Sequence, residues 1–322
     1  MTYQIAISQA DYPDAEVERA VFDAVDADVV VGHAESPAEL VELARGADAL
    51  LVEYADVTAA VLDALDDLVV VSRYGIGVDN VDVEAATGRE VAVTNVPSYC
   101  EEEVATHVLA LLLTVVRETA QYTAAVESGT WDWKVATPIE PVVGKTVGFV
   151  AYGKIPRAVV RLARGFDFEY LVYDPYLDAG DIADEPVERV DFETLLAESD
   201  IVSVHAPLVD ETRHLFDADA FARMRKDAVL VNTARGPLVD ETALNDALRE
   251  GELGGAGLDV MVDEPVESSP LFELDSVVVT PHVAWYSERS LDEVRRKAAE
   301  NVVRFLEAGE PHGFVNRDAL NR

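Results

Sequence analysis

Three polar side chains in the second half of the chain follow apolar segments, at the points where buried strands would end. Arg235 follows LVNTA, Glu264 follows GLDV, and His282 follows VVVTP. Taken singly, each has an ordinary structural explanation in a turn, an acidic surface or a loop. Together they form a set that could reduce a ketone, because the charge growing on the carbonyl oxygen needs a cation and a proton donor.

The chemistry assigns a different role to each member of this set. Arg235 could hold a substrate carboxylate and carbonyl through a forked contact. His282 could supply the proton, and a buried carboxylate such as Glu264 would favour the imidazolium form and fix the orientation of the ring. Metal-assisted chemistry has little support, because the six histidines show no ligand spacing of the HExxH kind.

A second candidate is the segment GFVAYGKIP at 148–156, which resembles a dinucleotide-binding turn that has lost two of its three glycines. Its glycine positions hold Ala151, Gly153 and Pro156, and on these alone a strand-to-helix turn without a ligand would be the better interpretation. A strand precedes the turn, an amphipathic stretch follows it, and the next strand ends in Asp174, 21 residues beyond Gly153 (174 − 153). An acid at that distance can bond ribose hydroxyls and repels a 2′-phosphate. The segment therefore predicts NAD, rather than NADP, bound at a helix N-terminus.

Parallel sheets wrapped by helices must position these side chains, since short apolar runs alternate with amphipathic stretches along the whole chain. One series of strands ends before about Pro97 and another begins after about Lys145. Between them, EEEVATHVLALLLTVVRETAQYTAAV predicts one long helix. SERSLDEVRRKAAENVVRFLEAG predicts a second, which ends at Gly309. The chain would leave a first domain, build a second, and return to the first.

Composition narrows the classes of function and the compartment. The chain has 62 Asp and Glu against 25 Lys and Arg, a net charge of −37, which disfavours binding to nucleic acid or to a membrane surface. Scattered acids with few lysines are typical of halophilic proteins, and an acidic protein from ordinary salt is the alternative. Cys100 is the only cysteine, and neither a signal peptide nor a membrane span is evident. We therefore expect a cytoplasmic protein.

Five blocks make the sequence similar to the D-isomer-specific 2-hydroxyacid dehydrogenase family: RYGIGVDNVD, NVPSYCEEEVATH, NTARGPLVDE, GAGLDVMVDEP and TPHVAWYSE. HVAWYSE and YDPY resemble most the subgroup of phosphoglycerate dehydrogenase relatives and C-terminal-binding proteins. The resemblance implies an α/β fold of two doubly wound parallel-sheet domains, with a Rossmann NAD-binding domain inserted into a flavodoxin-like substrate domain. The implied bounds are 1–98 with 290–322 for the substrate domain and 99–289 for the dinucleotide-binding domain.

The resemblance also implies roles for residues at matching positions. Arg235, Glu264 and His282 match the catalytic triad of the family. The implied substrate-binding residues are the loop Arg73, Tyr74, Gly75, Ile76 and Gly77, which would hold a carboxylate through backbone N–H groups, and Trp285, for which a core or interface position is an equal alternative. The implied cofactor-binding residues are Gly153, Lys154, Ile155, Asp174, His205, Pro207, Thr233, Ala234 and Asp259, the last of which would bond the nicotinamide carboxamide.

These observations predict an NAD-dependent oxidoreductase that interconverts a 2-ketoacid and a D-2-hydroxyacid, with the substrate closed between domains that hinge on the long helices. D-3-phosphoglycerate dehydrogenase is a lower-ranked alternative. Glu53 stands where the resemblance would place a phosphate-binding arginine, and a chain ending at Arg322 leaves no room for a regulatory domain. An NAD(H)-sensing corepressor-like binding protein is the alternative from another class.

We also expect a homodimer. SGTWDWKV at 128–135 would expose two tryptophans on a loop that could cover a partner subunit, and burial within one subunit is the alternative.

Overall fold

The structure, a computed structural model, describes residues 2–9 and 12–320. The chain divides into two compact units, one formed by Met1–Tyr99 with Ser287–Arg322 and the other by Cys100–Tyr286. Each unit contains one parallel β-sheet with helices packed on both faces.

The first unit opens with alternating strands and short helices, as the spacing of its apolar runs predicts. The strands are β1 (Tyr3–Ser8), β2 (Ala27–Gly32), β3 (Ala49–Val52), β4 (Val70–Arg73) and β5 (Ala92–Thr94), and the helices are α1 (Glu16–Phe22), α2 (Pro37–Leu43), α3 (Ala59–Ala64) and α4 (Val83–Gly88). The strand order is β2-β1-β3-β4-β5. This is the flavodoxin-like order that the resemblance predicted.

Burial on both faces explains why the central strands of this sheet are continuously apolar. In β3, Ala49 and Leu51 face one hydrophobic cluster, while Leu50 and Val52 face the other, and all four are fully buried. The central strand β3 therefore carries no polar side chain, and the first polar residue after it is Glu53 at its carboxyl end.

The second unit has a seven-stranded sheet covered by α-helices. The strands are β6 (Thr146–Val150), β7 (Glu169–Tyr173), β8 (Glu188–Arg189), β9 (Ile201–Val204), β10 (Val229–Asn232), β11 (Gly255–Leu258) and β12 (Val277–Val279). The helices are α5 (Glu101–Val116), α6 (Thr119–Glu127), α7 (Lys154–Leu162), α8 (Phe192–Glu198), α9 (Ala218–Arg223) and α10 (Glu241–Glu250).

The strand order β12-β11-β10-β9-β6-β7-β8 is that of a Rossmann domain with one further strand. The order reverses between β9 and β6, so the switch point of the sheet lies at the carboxyl ends of these two strands. β8 was not predicted, because its two residues are exposed and polar and leave no apolar pattern to recognise.

The prediction of one helix over EEEVATHVLALLLTVVRETAQYTAAV was wrong. α5 ends at Val116, and α6 starts at Thr119 after Glu118, whose φ of 51° lies in the left-handed region. No glycine or proline marks this break in the sequence. The apolar stretch within α5 is buried as expected, with Val108, Leu111 and Leu112 in the core.

The last long helix was predicted correctly. α11 (Glu288–Ala308) ends at Gly309, which has a φ of 69°, and a short helix, α12 (Arg317–Leu320), follows. Between them, the Val315 N–H donates to the Val93 carbonyl at the edge of the first sheet (2.8 Å). Within residues 2–9 and 12–320, no helix is both long enough and apolar enough to cross a membrane.

Candidate active site

Arg235 lies in a tight turn at the carboxyl end of β10. The buried Asn232 side chain fixes this turn, since its Oδ1 accepts from the Ala234 N–H (3.0 Å) and its Nδ2 donates to the Arg235 carbonyl (2.8 Å). The Arg235 guanidinium in turn donates from Nη1 to the Ala234 carbonyl (2.7 Å). The cation is therefore held at the strand end by the backbone of its own turn.

Gly236 brings this turn against the loop that carries Glu264. A Cβ atom at Gly236 would lie only 1.9 Å from the Met261 carbonyl oxygen, so no other residue fits there without moving backbone. The Met261 N–H donates to Glu264 Oε1 (2.8 Å). Two of the three predicted catalytic residues thus lie in loops that pack directly on each other.

Glu264 and His282, the other two predicted catalytic residues, contact each other directly. His282 Nδ1 lies 2.7 Å from Glu264 Oε2, so the ring presents Nε2 away from the carboxylate. Burial raises the pKa of Glu264, but the hydrogen bonds from His282 and the Met261 N–H outweigh it, and the net shift is downward. The carboxylate therefore stays ionised beside the imidazole.

Glu264 and His282 are more exposed than the prediction required. Glu264 was expected to be buried, yet its side chain is 35% exposed and that of His282 is 45% exposed. Both residues lie in loops beyond the ends of β11 and β12, outside the hydrophobic clusters that cover the sheet. Solvent therefore weakens the electrostatic contribution of the pair relative to a buried one.

Asp259 organises the segment that carries His282. Its buried carboxylate accepts from the N–H groups of Val283 (2.9 Å) and Ala284 (2.8 Å) and from the Thr280 hydroxyl (2.6 Å). Burial raises the pKa of Asp259, and the hydrogen bonds from His107, Thr280 and the two backbone groups more than reverse this shift. Asp259 is therefore ionised, and its carboxylate accepts hydrogen bonds from the protein's own side-chain and backbone donors.

The predicted dinucleotide turn is a strand, a turn and a helix, in that order. β6 ends at Val150, Ala151 takes a φ of 68°, and Gly153 is the N-cap of α7. Pro156 is the third residue of α7, where its missing N–H removes no helical hydrogen bond. The helix N-terminus that binds phosphate in such turns is therefore intact despite the two replaced glycines.

Asp174 is fixed close to this turn. Its Oδ2 accepts from the Tyr152 N–H (3.0 Å) and its Oδ1 from the Tyr176 N–H (2.9 Å). It lines a cavity of about 540 Å³ together with Tyr173, Pro175, Arg189, Val190, Asp191 and Thr194. An acidic side chain and a cavity thus occur together at the carboxyl end of β7.

The remaining strand-end residues agree with a dinucleotide site. Burial lowers the pKa of His205 to about 3, so its ring is neutral, and its Nε2 lies 2.9 Å from Ser203 Oγ. Within the described part of the chain, the buried Thr233 hydroxyl makes no hydrogen bond. A Cβ atom at Gly153 would meet nothing within 4 Å. A bound dinucleotide could use each of these features: the unpaired hydroxyl of Thr233, the uncharged ring of His205 and the open space at Gly153.

Lys154, Ile155, Pro207 and Ala234 complete the predicted cofactor set. Lys154 and Ile155 are the first two residues of α7, and Lys154 Nζ lies 3.7 Å from Glu101 Oε1. The Pro207 carbonyl accepts from the Thr212 hydroxyl (2.7 Å), which fixes the turn after β9.

In the first unit, the predicted substrate loop begins at the carboxyl end of β4. The N–H groups of Tyr74 and Gly75 donate to the carbonyls of Val52 and Arg73 (both 3.0 Å). Within residues 2–9 and 12–320, the N–H groups of Ile76 and Gly77 have no acceptor. These two groups are the donors that an anion could bind.

Side chains of the first unit hold this loop. The Asn95 amide donates to the Ile76 carbonyl (2.6 Å), and the Tyr74 hydroxyl donates to the buried Glu18 (3.2 Å). Gly75 has a φ of 139°, and a Cβ atom there would lie 1.8 Å from Arg73 Nη1. The Arg73 guanidinium therefore folds back over its own loop.

Glu53 lies at the carboxyl end of the neighbouring strand β3 and is 3% exposed. Burial, followed by the charge of Glu53, raises the pKa of Tyr12, and Arg73 acts on the same tyrosine in the opposite direction. An acidic residue is thus buried in the strand-end region that contains Arg73, where the resemblance would place an arginine.

The tryptophans have different environments. Trp285 is partly buried, with its ring edge-to-face against Tyr286 at 5.7 Å. Trp131 and Trp133 are 89% and 71% exposed. Trp131 lies in a loop as predicted, whereas Trp133 begins a 3₁₀ helix, Trp133–Ala136.

Several residues of the site were not identified from the sequence. Asn232 and Gly236 shape the Arg235 turn, and His107 and Thr280 contact Asp259. Thr280 and His107 are 173 positions apart in the chain, yet their side chains are in contact. A polar residue at the end of an apolar strand, as Asn232 is in β10, or directly after one, as Thr280 is after β12, was the signal that could have indicated them.

A doubly wound sheet with this turn and acid defines a dinucleotide-binding domain, and comparisons with known proteins agree. The family model described as "D-isomer specific 2-hydroxyacid dehydrogenase, NAD binding domain" matches residues 109–284. A "Glyoxylate reductase" of Korarchaeum cryptofilum is 37% identical over 286 residues, which cover 87% of this chain and 86% of that protein. The TT0316 protein from Thermus thermophilus has a crystal structure with a TM-score of 0.87 and 33% identity, covering 97% of this chain and 99% of that one.

A "D-3-phosphoglycerate dehydrogenase" of Mycobacterium leprae is 44% identical over 276 residues, or 85% of this chain. These residues cover 51% of that protein, so the chain spans about half the length of this relative. The chain belongs to the D-isomer specific 2-hydroxyacid dehydrogenase family, and its second unit is an NAD binding domain of that family.

Proposed function

We propose that the protein is an NAD-dependent oxidoreductase that interconverts a 2-ketoacid and a D-2-hydroxyacid. The observation that carries the proposal is the hydrogen bond between His282 Nδ1 and Glu264 Oε2. The loop with Glu264 packs on the Arg235 turn, and all three residues belong to an NAD binding domain. This arrangement provides a proton donor, its orienting carboxylate and a cation at the ends of adjacent strands.

In this proposal each of these side chains has its own task. Because Nδ1 of His282 faces Glu264, the proton passes to or from the substrate oxygen at Nε2. Glu264 fixes the ring plane and stabilises the imidazolium. Arg235, anchored on the Ala234 carbonyl, meets the charge that develops on the substrate.

The second unit has the residues to hold the cofactor, which supplies or accepts the hydride when it is bound. Gly153, Lys154 and Ile155 present the N-terminus of α7 to the pyrophosphate. Asp174 bonds the ribose hydroxyls and disfavours a 2′-phosphate, which selects NAD over NADP. The strand-end residues His205, Pro207, Thr233, Ala234 and Asp259 line the rest of the site.

We propose the first unit as the substrate-binding domain. The N–H groups of Ile76 and Gly77 bind the substrate carboxylate, since those of Tyr74 and Gly75 are already used within the loop. Trp285 is a further substrate-binding residue in this proposal. The substrate is unphosphorylated, because Glu53 stands where a phosphate-binding arginine would be needed and offers no cation to a phosphate.

D-3-phosphoglycerate dehydrogenase is the second candidate, favoured by the 44% identity to a relative of that name. A screen for NADH oxidation distinguishes the two, with glyoxylate, pyruvate, hydroxypyruvate, longer 2-ketoacids and 3-phosphohydroxypyruvate as substrates. We expect turnover of an unphosphorylated ketoacid and a product of D configuration. Turnover of the phosphorylated ketoacid alone would support the second candidate. NADH binding without any turnover would instead support a sensor protein.

We propose a homodimer in which the segment at 128–135 covers a partner subunit. The exposure of Trp131 and Trp133 supports this role, since large apolar side chains are enriched at interfaces. Sedimentation in high salt should give twice the chain mass of 35.0 kDa. A mass near that of one chain would exclude the dimer.

We also propose that the protein is halophilic and acts in a salt-rich cytoplasm. With a net charge of −37, the acidic side chains of the protein repel one another strongly at low salt. The screening length falls from about 10 Å at 0.1 M to about 3 Å at 1 M salt, which removes most of this repulsion. The unfolding temperature should therefore rise steadily with KCl above 0.1 M, and a flat or falling trend would argue against halophily.

A further inference from the structure

The three backbone N–H groups at 282–284 all donate to one residue. The His282 N–H donates to the Asp259 carbonyl (2.8 Å) and also to the Thr280 carbonyl (3.0 Å), and those of Val283 and Ala284 donate to the Asp259 carboxylate (2.9 and 2.8 Å). His282 itself has a φ of 52°, in the left-handed region that is unfavourable for a residue with a Cβ. The position of the imidazole therefore depends on how firmly Asp259 is held.

Two side chains also contact the Asp259 carboxylate. The Thr280 oxygen lies 2.6 Å from Asp259 Oδ1, and two oxygens this close need the hydroxyl proton between them. His107 Nε2 lies 2.9 Å from the same hydroxyl and 3.5 Å from Asp259 Oδ1.

The number of available protons determines which group donates in each of the two hydrogen bonds, His107 to Thr280 and Thr280 to Asp259. A hydroxyl has one proton, and Thr280 gives it to the carboxylate. The contact from His107 must then be a donation from Nε2–H to the threonine oxygen. His107 belongs to α5, so a side chain from the helix layer orders the carboxylate at the carboxyl end of β11, through the Thr280 hydroxyl and through its own contact with Asp259 Oδ1.

We infer that His107 and Thr280 are positioning residues that fix the Asp259 carboxylate and, through it, the backbone segment carrying His282. Neither residue needs to touch substrate or cofactor in this role. The inference rests on the proposed function for its effect on catalysis, although the order of the segment at 282–284 can be measured without any substrate.

Paired variants of Thr280 provide the test. Thr280→Val keeps the shape but removes the proton that Asp259 accepts, while Thr280→Ser keeps the hydroxyl. Loss of a hydrogen bond to a charged group corresponds to about 10- to 100-fold in rate, and we expect that loss in kcat for Thr280→Val, with KM for NADH within about 2-fold of the wild type. Thr280→Ser should recover most of the rate.

Hydrogen exchange of the backbone amides provides a readout that does not depend on activity. The amides of Val283 and Ala284 should exchange about 10-fold or more faster in Thr280→Val and at nearly the wild-type rate in Thr280→Ser. Thr106→Val is the matched control, because its hydroxyl bonds the Glu102 carbonyl of its own helix (2.7 Å). It should change neither exchange nor kcat.

Variants of His107 test the same pair of hydrogen bonds through the residue that donates to Thr280. His107→Leu should reproduce the effect of Thr280→Val in weaker form, and His107→Gln, which keeps an N–H donor, should restore it in part. Equal losses in both members of a pair, or unchanged exchange at 282–284 in Thr280→Val, would overturn the inference. A wild-type enzyme without ketoacid turnover would instead contradict the proposed function, and the exchange comparison would still decide the positioning role.

Discussion

Replacing Glu264 by Gln should slow ketoacid reduction without weakening cofactor binding. Gln has the same shape and keeps an oxygen for the Met261 N–H, which lies 2.8 Å from Glu264 Oε1. It cannot keep the negative charge beside His282 Nδ1, which lies 2.7 Å from Oε2. The substitution therefore removes the charge from the pair and leaves the packing in place.

The size of the effect follows from the geometry and the exposure of the pair. A hydrogen bond to a charged group contributes about 1.5–3 kcal/mol. Since Glu264 is 35% exposed, solvent screening reduces this contribution, and we take about 1–2 kcal/mol. Each 1.4 kcal/mol corresponds to about tenfold in rate, so kcat should fall by about 5- to 30-fold.

Initial rates of NADH oxidation at saturating ketoacid measure this change, and NADH fluorescence titration measures cofactor affinity. Asp263→Asn is the matched control, because it removes the same charge from the exposed neighbouring position. The reasoning would be refuted by a kcat within about 2-fold of the wild type for Glu264→Gln. An equal loss in Asp263→Asn would show that net charge, and not the contact with His282, produces the effect.

Three further predictions concern the cofactor turn, the substrate and acid stability. Ala151→Gly should stabilise the protein by about 0.5–1 kcal/mol in denaturant titrations, because about 1–2 kcal/mol of left-handed strain at φ 68° outweighs the added freedom of the unfolded chain. Ala158→Gly within α7 should destabilise it, and the same sign for both would contradict this account. Glu53→Gln should raise kcat/KM for 3-phosphohydroxypyruvate relative to the best unphosphorylated ketoacid by about tenfold or more, and an unchanged ratio would remove Glu53 from the substrate site. The pKa of Asp259 lies below its usual 3.8, so its stabilisation is full above that pH and is lost as the pH falls through the lowered pKa. The gap in unfolding free energy between the wild type and Asp259→Asn should therefore be constant from about pH 7 to 5 and should shrink below about pH 4, whereas a gap that widens in acid would contradict the shift.

Much of the fold could be predicted because the buried strands of a parallel sheet appear in the sequence as short continuous apolar runs. β3, β9 and β10 are short, fully buried and followed at once by polar residues, so both the strand and its functional end are visible. The dinucleotide turn was identified from the strand before it, the helix after it and the acid at Asp174. Its glycines alone did not suffice.

The features that were missed depend on contacts that no local pattern records. The break between α5 and α6 at Glu118 lacks a glycine or proline, and the two residues of β8 are too few to form a pattern. His107 lies on a helix whose apolar character gave no sign of its contact with Thr280. Glu264 was expected to be buried because its chemistry suited burial, but its position in a loop beyond β11 leaves it partly in solvent.

The central claim is that His282 is the proton donor of a hydride transfer to a 2-ketoacid. The most direct measurement compares kcat and the NADH dissociation constant of the wild type and His282→Ala in concentrated KCl. Loss of a general acid lowers rates by about 10²- to 10⁴-fold, and we expect a loss of that size in kcat with NADH affinity within about 2-fold of the wild type. Ketoacid reduction that persists at a comparable rate in His282→Ala would contradict the account.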